Sequence, residues 1–474
     1  MSLVDRPRLL LYDAALLLEE TGRSVKPEDI PIQSADELVL AFASGCKPST
    51  EWLTGLELEK VGVDPATAEA MPFGGPRGIE AALTSMAEKH GWEPTVEDGR
   101  VVGLTRDGSA ITLEPGGQHE FASPPSPDLH TMAAEFARHR EEIRQVADHL
   151  GVAFLGIGMQ PVTPLEAIEW TPKGRYTIMA PYLGSRGTLA HAMMKQTAAI
   201  QSTFDYSDEA DCFSKMRLAM GLSPIATALF AHSSITGGYI NGFRSFRGHI
   251  WVHTDPDRCG IVRGVFDEGF GFEAYTEWCL AVPAMFILRE GRWIALGGMP
   301  FGRFLAEGFE GHRATMADWQ LHLTTIFTEA RLKTFIEVRC ADSLRPEDVL
   351  VVPAFWKGLL YDAEARAAAW ELIAGWPFEE RLVLWHTAPG YGLATPTPDG
   401  RTIFDLARDL LSLSLDGLTR QAVLDPQGRD ETIYLESFAD RLLETGRCPA
   451  DNLSALWVGE WAGDPARLVE WCRY

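Results

Sequence analysis

Positive charge is scarce in this chain. Over 474 residues, 42 Lys and Arg stand against 66 Asp and Glu, a formal charge of -24 at pH 7. General binding to nucleic acid or to anionic membrane requires basic surface, so neither partner is expected, although an acidic chain can still gather Arg and Lys in one pocket. Cysteine is sparse as well: the seven are scattered and form no Cys-x-x-Cys pair, which excludes zinc-ribbon and thioredoxin-type motifs. An odd count without a secretion signal points to reduced thiols and a cytoplasmic protein. Long apolar runs are missing. The N-terminal stretch around Leu9, Leu10, Leu17 and Leu18 is broken by Asp13 and closed by Glu19 and Glu20, so it reads as neither a signal sequence nor a membrane span. His-Glu-x-x-His and Gly-x-Ser-x-Gly are both absent, which removes support for a zinc hydrolase and for a nucleophile elbow.

What is present is the composition of a globular protein, 46% hydrophobic and 23% charged. The length exceeds a typical single-core domain. Apolar spacing predicts helices within 6–45, including a capping-box start at Ser34-Ala-Asp-Glu37, and again over 78–91, 128–150 and 209–232. Residues 92–113 read as a meander with turns at Glu97-Asp-Gly99 and Arg106-Asp-Gly108. Phe154–Gly158, Ala199–Asp205 and Ser245–Trp251 read as strands. From Asp362 onward helices dominate. The Pro/Gly-rich stretch 387–400 marks the division between a unit at 1–386 and a helical C-terminal region at 387–474.

The chemistry concentrates in Gly55-Leu-Glu57-Leu-Glu59-Lys60. In a strand, alternate side chains share a face, so Glu57 and Glu59 project together with Leu56 and Leu58 opposite. An isolated Glu-x-Glu is more often a solvated strand face. Burying two adjacent carboxylates is costly unless a cation cancels their charge, and Mg2+ does so with oxygen ligands. Glu337 can join them. Arg339 beside it offers a fork suited to phosphate, with Arg331 and Lys333 nearby. Glu114 and Glu120 flank a Pro-Gly-Gly break that permits a sharp bend, so they can converge on the same ion. Gln201 and Thr203 alternate onto one face, and Gln is a workable oxygen ligand. Arg247 is suited to clamp a carboxylate. Cations for phosphate beside carboxylates for metal is the pattern of phosphoryl transfer.

Taken in order, the segments resemble the plant-type glutamate–cysteine ligases over nearly the whole chain. The resemblance rests on the Glu57/Glu59 motif, Leu113-Glu-Pro-Gly-Gly-Gln-His-Glu120, Phe154-Leu-Gly-Ile-Gly158, Pro172-Lys-Gly-Arg-Tyr176, Arg247-x-His-Ile-Trp251, His322-Leu-Thr-Thr-Ile-Phe327, Arg331-Leu-Lys333 and Pro353-Ala-Phe-Trp356. It implies an α+β fold similar to glutamine synthetase, with a curved, mostly antiparallel sheet, helices on its outer face and a helical C-terminal part. It implies that ATP phosphorylates the side-chain carboxylate of L-glutamate and that the amine of L-cysteine displaces phosphate to give γ-glutamylcysteine. The implied roles are Glu57, Glu59, Glu114, Glu120, Gln201 and Glu337 for Mg2+ or Mn2+. Arg247, Arg175 and Thr203 would serve glutamate, and Arg339, Arg331 and Lys333 the ATP phosphates, with Arg339 and Arg247 acting in catalysis. The resemblance is compatible with a monomer or a homodimer. Met285 stands where the family commonly has a Tyr that lines the acceptor pocket, so the second reading is a γ-glutamyl ligase for a different amine. Ala133 and Leu350 fall where one plant cysteine pair would be, so no plant-like disulfide switch is expected.

Overall fold

The computed structural model describes residues 30–474. The helix expected around Leu9–Leu18 lies outside the described residues. The helix begun at Ser34 is Ala35–Ala43, and Glu37 accepts from the Ser34 amide at 3.1 Å, the carboxylate half of a capping box.

Nine strands form the main sheet: β1 (Thr54–Val63), β2 (Glu93–Glu97), β3 (Arg100–Arg106), β4 (Ser109–Leu113), β5 (His119–Ala122), β6 (Ala153–Leu155), β7 (Ala199–Phe204), β8 (Ala330–Leu332) and β9 (Ile336–Asp342). Their order is β8-β9-β7-β1-β5-β4-β3-β2, with β6 also paired to β1, and every neighbouring pair is antiparallel. The meander β2–β4 turns where the sequence places it, with Asp98, Gly99, Asp107 and Gly108 all at positive φ. Phe154–Gly158 is strand only through Leu155. At Gly156 a Cβ would sit 2.0 Å from the Leu344 carbonyl oxygen, so this glycine serves a close backbone approach.

One face of the sheet is packed by helices α1 (Ile79–His90), α2 (Leu129–Leu150), α4 (Glu209–Leu229) and α6 (Val351–Leu360). Helices α1 and α2 end at Gly91 and Gly151 in the left-handed conformation, and Asp128 caps α2 by accepting from the Thr131 amide. Leu56, Leu58, Phe121 and Ile200 point into this core, which extends without a break to Ile403, Leu406 and Leu410 of the helix Ile403–Gln421. The stretch 387–400 begins within the helix Phe378–Tyr391 and continues as the turn Gly392–Ala394 and a loop.

The other face is roofed by short helices, α3 (Tyr176–Gly184), the segment Ala190–Gln196 and α5 (Phe246–Val252). The last corrects a strand reading. Ser245 accepts from the Gly248 amide at 2.9 Å and starts a helix, so Arg247 shares a face with Trp251 rather than with His249. No helix among the described residues is long and apolar enough to cross a membrane.

Candidate active site

Residues directly opposite each other on paired strands point the same way. The register sets Glu59 against Glu120, Glu57 against Gln201, Thr203 against both Gly55 and Glu337, and Arg331 against Glu337. One face of five adjacent strands therefore carries Glu120, Glu59, Glu57, Gln201, Thr203, Glu337 and Arg331. The β4–β5 turn adds Glu114. Gly117 bends there at φ 82, and Gly116 passes so near the Lys195 backbone that a Cβ would lie 2.1 Å from its carbonyl oxygen.

Over this face lies a cleft of about 140 Å3. Its lining includes Glu57, Glu59, Glu114, Glu120 and Gln201 on the floor, with Arg175, Arg247, Arg331 and Arg339 around them. Nine of the side chains expected from the sequence thus border one cavity. The other four do not. Glu337 lies beneath the surface. Lys333 reaches it from the edge with Nζ 2.8 Å from Oε2. Thr203 lies over Gly55, whose absent Cβ would fall 2.3 Å from its hydroxyl. Met285 is buried in a methionine-rich cluster beside the cleft, and its neighbour Phe286 takes the place in the lining.

Glu337 is completely buried and held by three cations. Arg331 Nη2 donates to its two oxygens at 2.6 and 2.8 Å, and Lys333 and Arg339 also pair with it. Burial works against its charge, yet Arg331, Lys333 and Arg339 hold the carboxyl well below the usual range. Its oxygens pair with these three cations.

The floor carboxylates behave differently. Burial, then the Glu337 and Glu120 charges, push the Glu57 carboxyl up to about 8. Burial and the Glu114 and Glu120 charges raise Glu59 well above the carboxylate range, and burial with Glu120 raises Glu114. Glu59 accepts from the Ala199 amide at 2.7 Å and from Gln201 Nε2 at 3.2 Å. Among the described residues no three His, Cys, Asp or Glu side chains are already closed into a metal-holding group. The donor chemistry nevertheless fits a hard cation: buried oxygens of like charge converge, and a cation would stabilise their ionised forms.

The walls are fixed by hydrogen bonds. Arg247 is 3% exposed; its Nη2 donates to the Arg339 carbonyl at 2.8 Å and its Nη1 stands 3.9 Å from Asp342 Oδ1. Asp342 is itself oriented by the His232 amide and the Ser233 and Ser245 hydroxyls at 2.7, 2.6 and 2.8 Å. Arg339 pairs with Gln201 as well as Glu337. Arg175 opens α3 and donates to the Tyr176 hydroxyl at 3.1 Å, while Tyr176 donates to the Leu113 carbonyl at 2.9 Å and so ties α3 to β4. Gln118 braces the turn, accepting from the Gly116 amide and donating to the Thr197 carbonyl.

Site residues that sequence reasoning passes over are Gln118, Tyr176, Trp251, Phe286 and Asp342. Gln118, Tyr176 and Trp251 stand inside the motifs quoted above. For Trp251 the signal is its spacing of four from Arg247, which places both on one face once the segment is helical.

Comparison with known proteins gives one family and two kinds of relative. Residues 53–471 match the family model described as glutamate-cysteine ligase family 2. The chain is 41% identical over 429 residues to the chloroplastic glutamate–cysteine ligase of Brassica juncea, covering 90% of this chain and 81% of that one. It is 39% identical over 459 residues to the chloroplastic enzyme of Nicotiana tabacum, covering 96% and 85%. These relatives are chloroplastic by name, which overturns the expectation of a cytoplasmic home. Among solved structures, the glutamate–cysteine ligase of Francisella tularensis in complex with AMP aligns over 88% of each chain at a TM-score of 0.52 and 12% identity, a likeness of fold.

Proposed function

Because this chain belongs to glutamate-cysteine ligase family 2, we propose a division of labour among its cleft residues for the ligation that defines the family. The enzyme joins the side-chain carboxylate of L-glutamate to the amine of L-cysteine with ATP, through an acyl phosphate, giving γ-glutamylcysteine, ADP and phosphate. A carboxylate is a poor electrophile. Moving the γ-phosphoryl group of ATP onto one of its oxygens creates a leaving group. The cysteine amine then attacks the carbonyl carbon, loses a proton, and phosphate departs with the bonding electrons.

The observation that carries the division is the alignment of acidic and basic side chains on one sheet face. Glu57, Glu59, Glu114, Glu120 and Gln201 would hold Mg2+, which supplies charge neutralisation for the ATP phosphates when bound. Arg339, at the boundary between that acidic floor and the cationic cluster, is placed for the transferring phosphoryl group, and Arg331 borders the same end of the cleft. Arg247, oriented by Asp342 and the Arg339 carbonyl, holds the α-carboxylate of glutamate. Arg175 stands on the opposite wall near Glu114, whose charge adds to the attraction on its guanidinium. Glu337 acts from below by holding Arg331, Lys333 and Arg339 in register.

The test is incubation of purified protein with ATP, Mg2+, L-glutamate and L-cysteine. γ-Glutamylcysteine and ADP are expected in equal amounts, and no product with cysteine but product with another amine would reassign the acceptor.

A further inference from the structure

Trp251 lines the cleft, and its indole nitrogen is buried without a hydrogen-bond partner. A buried donor left unpaired costs about 1–3 kcal/mol, so native structures keep few of them. Trp319 and Trp356 share the unpaired N–H, but both rings are fully enclosed in the main core, away from the cleft. Trp251 alone of the three borders a space that a ligand can enter.

Its position is set with care. Arg247 and Trp251 stand four apart on α5, so the indole and the guanidinium leave the same helix face and move as one unit. The guanidinium carbons of Arg247 and Arg339 each lie 5.9 Å from the indole ring, and Phe327 packs on it at 5.5 Å. The ring therefore packs against both arginines and Phe327, and turning its N–H elsewhere would cost these contacts. On the far wall Arg175 Nε is likewise buried and unpaired.

We infer that Trp251 is a substrate-binding residue whose indole N–H donates to the α-carboxylate of glutamate beside Arg247. The inference rests on the assignment of Arg247 as the carboxylate clamp. A carboxylate has two oxygens and about four acceptor sites, so one fork and one indole N–H can be satisfied together. The indole selects an acceptor at that point. The carbonyl oxygen of an α-carboxamide can accept it, but its amide nitrogen would meet the donors of Arg247 without an acceptor to offer.

Trp251→Phe keeps the aromatic spacer and removes the donor. The glutamate KM is expected to rise about tenfold, the effect of losing one hydrogen bond to a charged group, with the KM for ATP within twofold of wild type. In protein labelled with 15N-tryptophan, the indole resonance missing from Trp251→Phe should shift downfield in wild type when glutamate is added, a readout that a purely structural ring would not give. Arg247→Ala is measured in parallel. An unchanged glutamate KM in Trp251→Phe with a raised one in Arg247→Ala overturns the role of Trp251 alone. Unchanged values in both overturn the clamp itself. Should Trp251→Phe fail to fold, Trp251→Tyr identifies the resonance in its place, and a Trp251 indole resonance in wild type that ignores saturating glutamate overturns the inference.

Discussion

Glu337 and Arg331 face each other across the β8–β9 pair, with Arg331 Nη2 2.6 and 2.8 Å from the two carboxylate oxygens, and both side chains are out of water. The acidic floor and the cationic end of the cleft meet at this pair. Removing one partner strands the other charges, since Lys333 and Arg339 depend on the same carboxylate. Glu337→Gln should lower stability by about 3–5 kcal/mol, the usual cost of breaking a buried ion pair. Urea unfolding at pH 7 measures it, and a loss below about 1 kcal/mol would show that the three cations find other partners.

Arg247→Ala should raise the glutamate KM by roughly 10–150-fold, corresponding to about 1.5–3 kcal/mol for hydrogen bonds to a charged group, and leave the KM for ATP within a few-fold. Initial rates at varied glutamate and saturating ATP decide it. An equal rise in both constants would mean that Arg247 organises the whole cleft rather than gripping glutamate.

Gly116→Ala should destabilise the protein by about 1–3 kcal/mol and lower kcat, because the new Cβ would meet the Lys195 backbone at 2.1 Å and push the Glu114 turn away from the floor. Thermal unfolding and initial rates report the two effects separately. Normal stability would show that the segment Ala190–Gln196 can move aside freely.

Acid should weaken the fold through two buried histidines, His232 and His322. Burial pushes His232 and His322 down to about 4, while an unfolded histidine titrates near 6.5. Between these values the unfolded chain binds protons that the folded chain refuses. Stability from this source is complete above about 6.5 and is lost as pH falls toward 4. By pH 5 each histidine should cost about 2 kcal/mol. His322→Gln should flatten the dependence of unfolding free energy on pH between 7 and 5 by that amount. An unaltered slope would mean that His322 titrates normally in the folded protein.

The acidic face was legible because strand periodicity is strict. Once Glu57 and Glu59 lie on a strand, only pairing register is needed to bring Glu120, Gln201 and Glu337 beside them. Arg247 was chosen correctly for the cleft but from a strand reading, because Phe246, Ile250 and their polar neighbours alternate over a stretch too short to separate the two periods. The Ser245 cap decides for helix. Met285 lies just ahead of the Phe286–Arg289 strand, and that Phe286 rather than Met285 borders the cleft is a tertiary matter that spacing does not show. Glu337 was placed in the right neighbourhood, but its direct pairing with Arg331, Lys333 and Arg339 was not foreseen. A sequence shows that carboxylates and arginines converge but not which of them pair.

The central claim is that the carboxylates of this sheet face grip the divalent cation that makes ATP reactive toward glutamate. Mn2+ takes the same oxygen ligands as Mg2+ and is visible by electron paramagnetic resonance. Titration of Mn2+ into wild type and Glu57→Gln, each saturated with ADP, tests the claim most directly. Binding in the variant should weaken by more than the about 10–100-fold typical of outer-shell partners, with the unfolding midpoint little changed. Identical Mn2+ binding by the two proteins would contradict it.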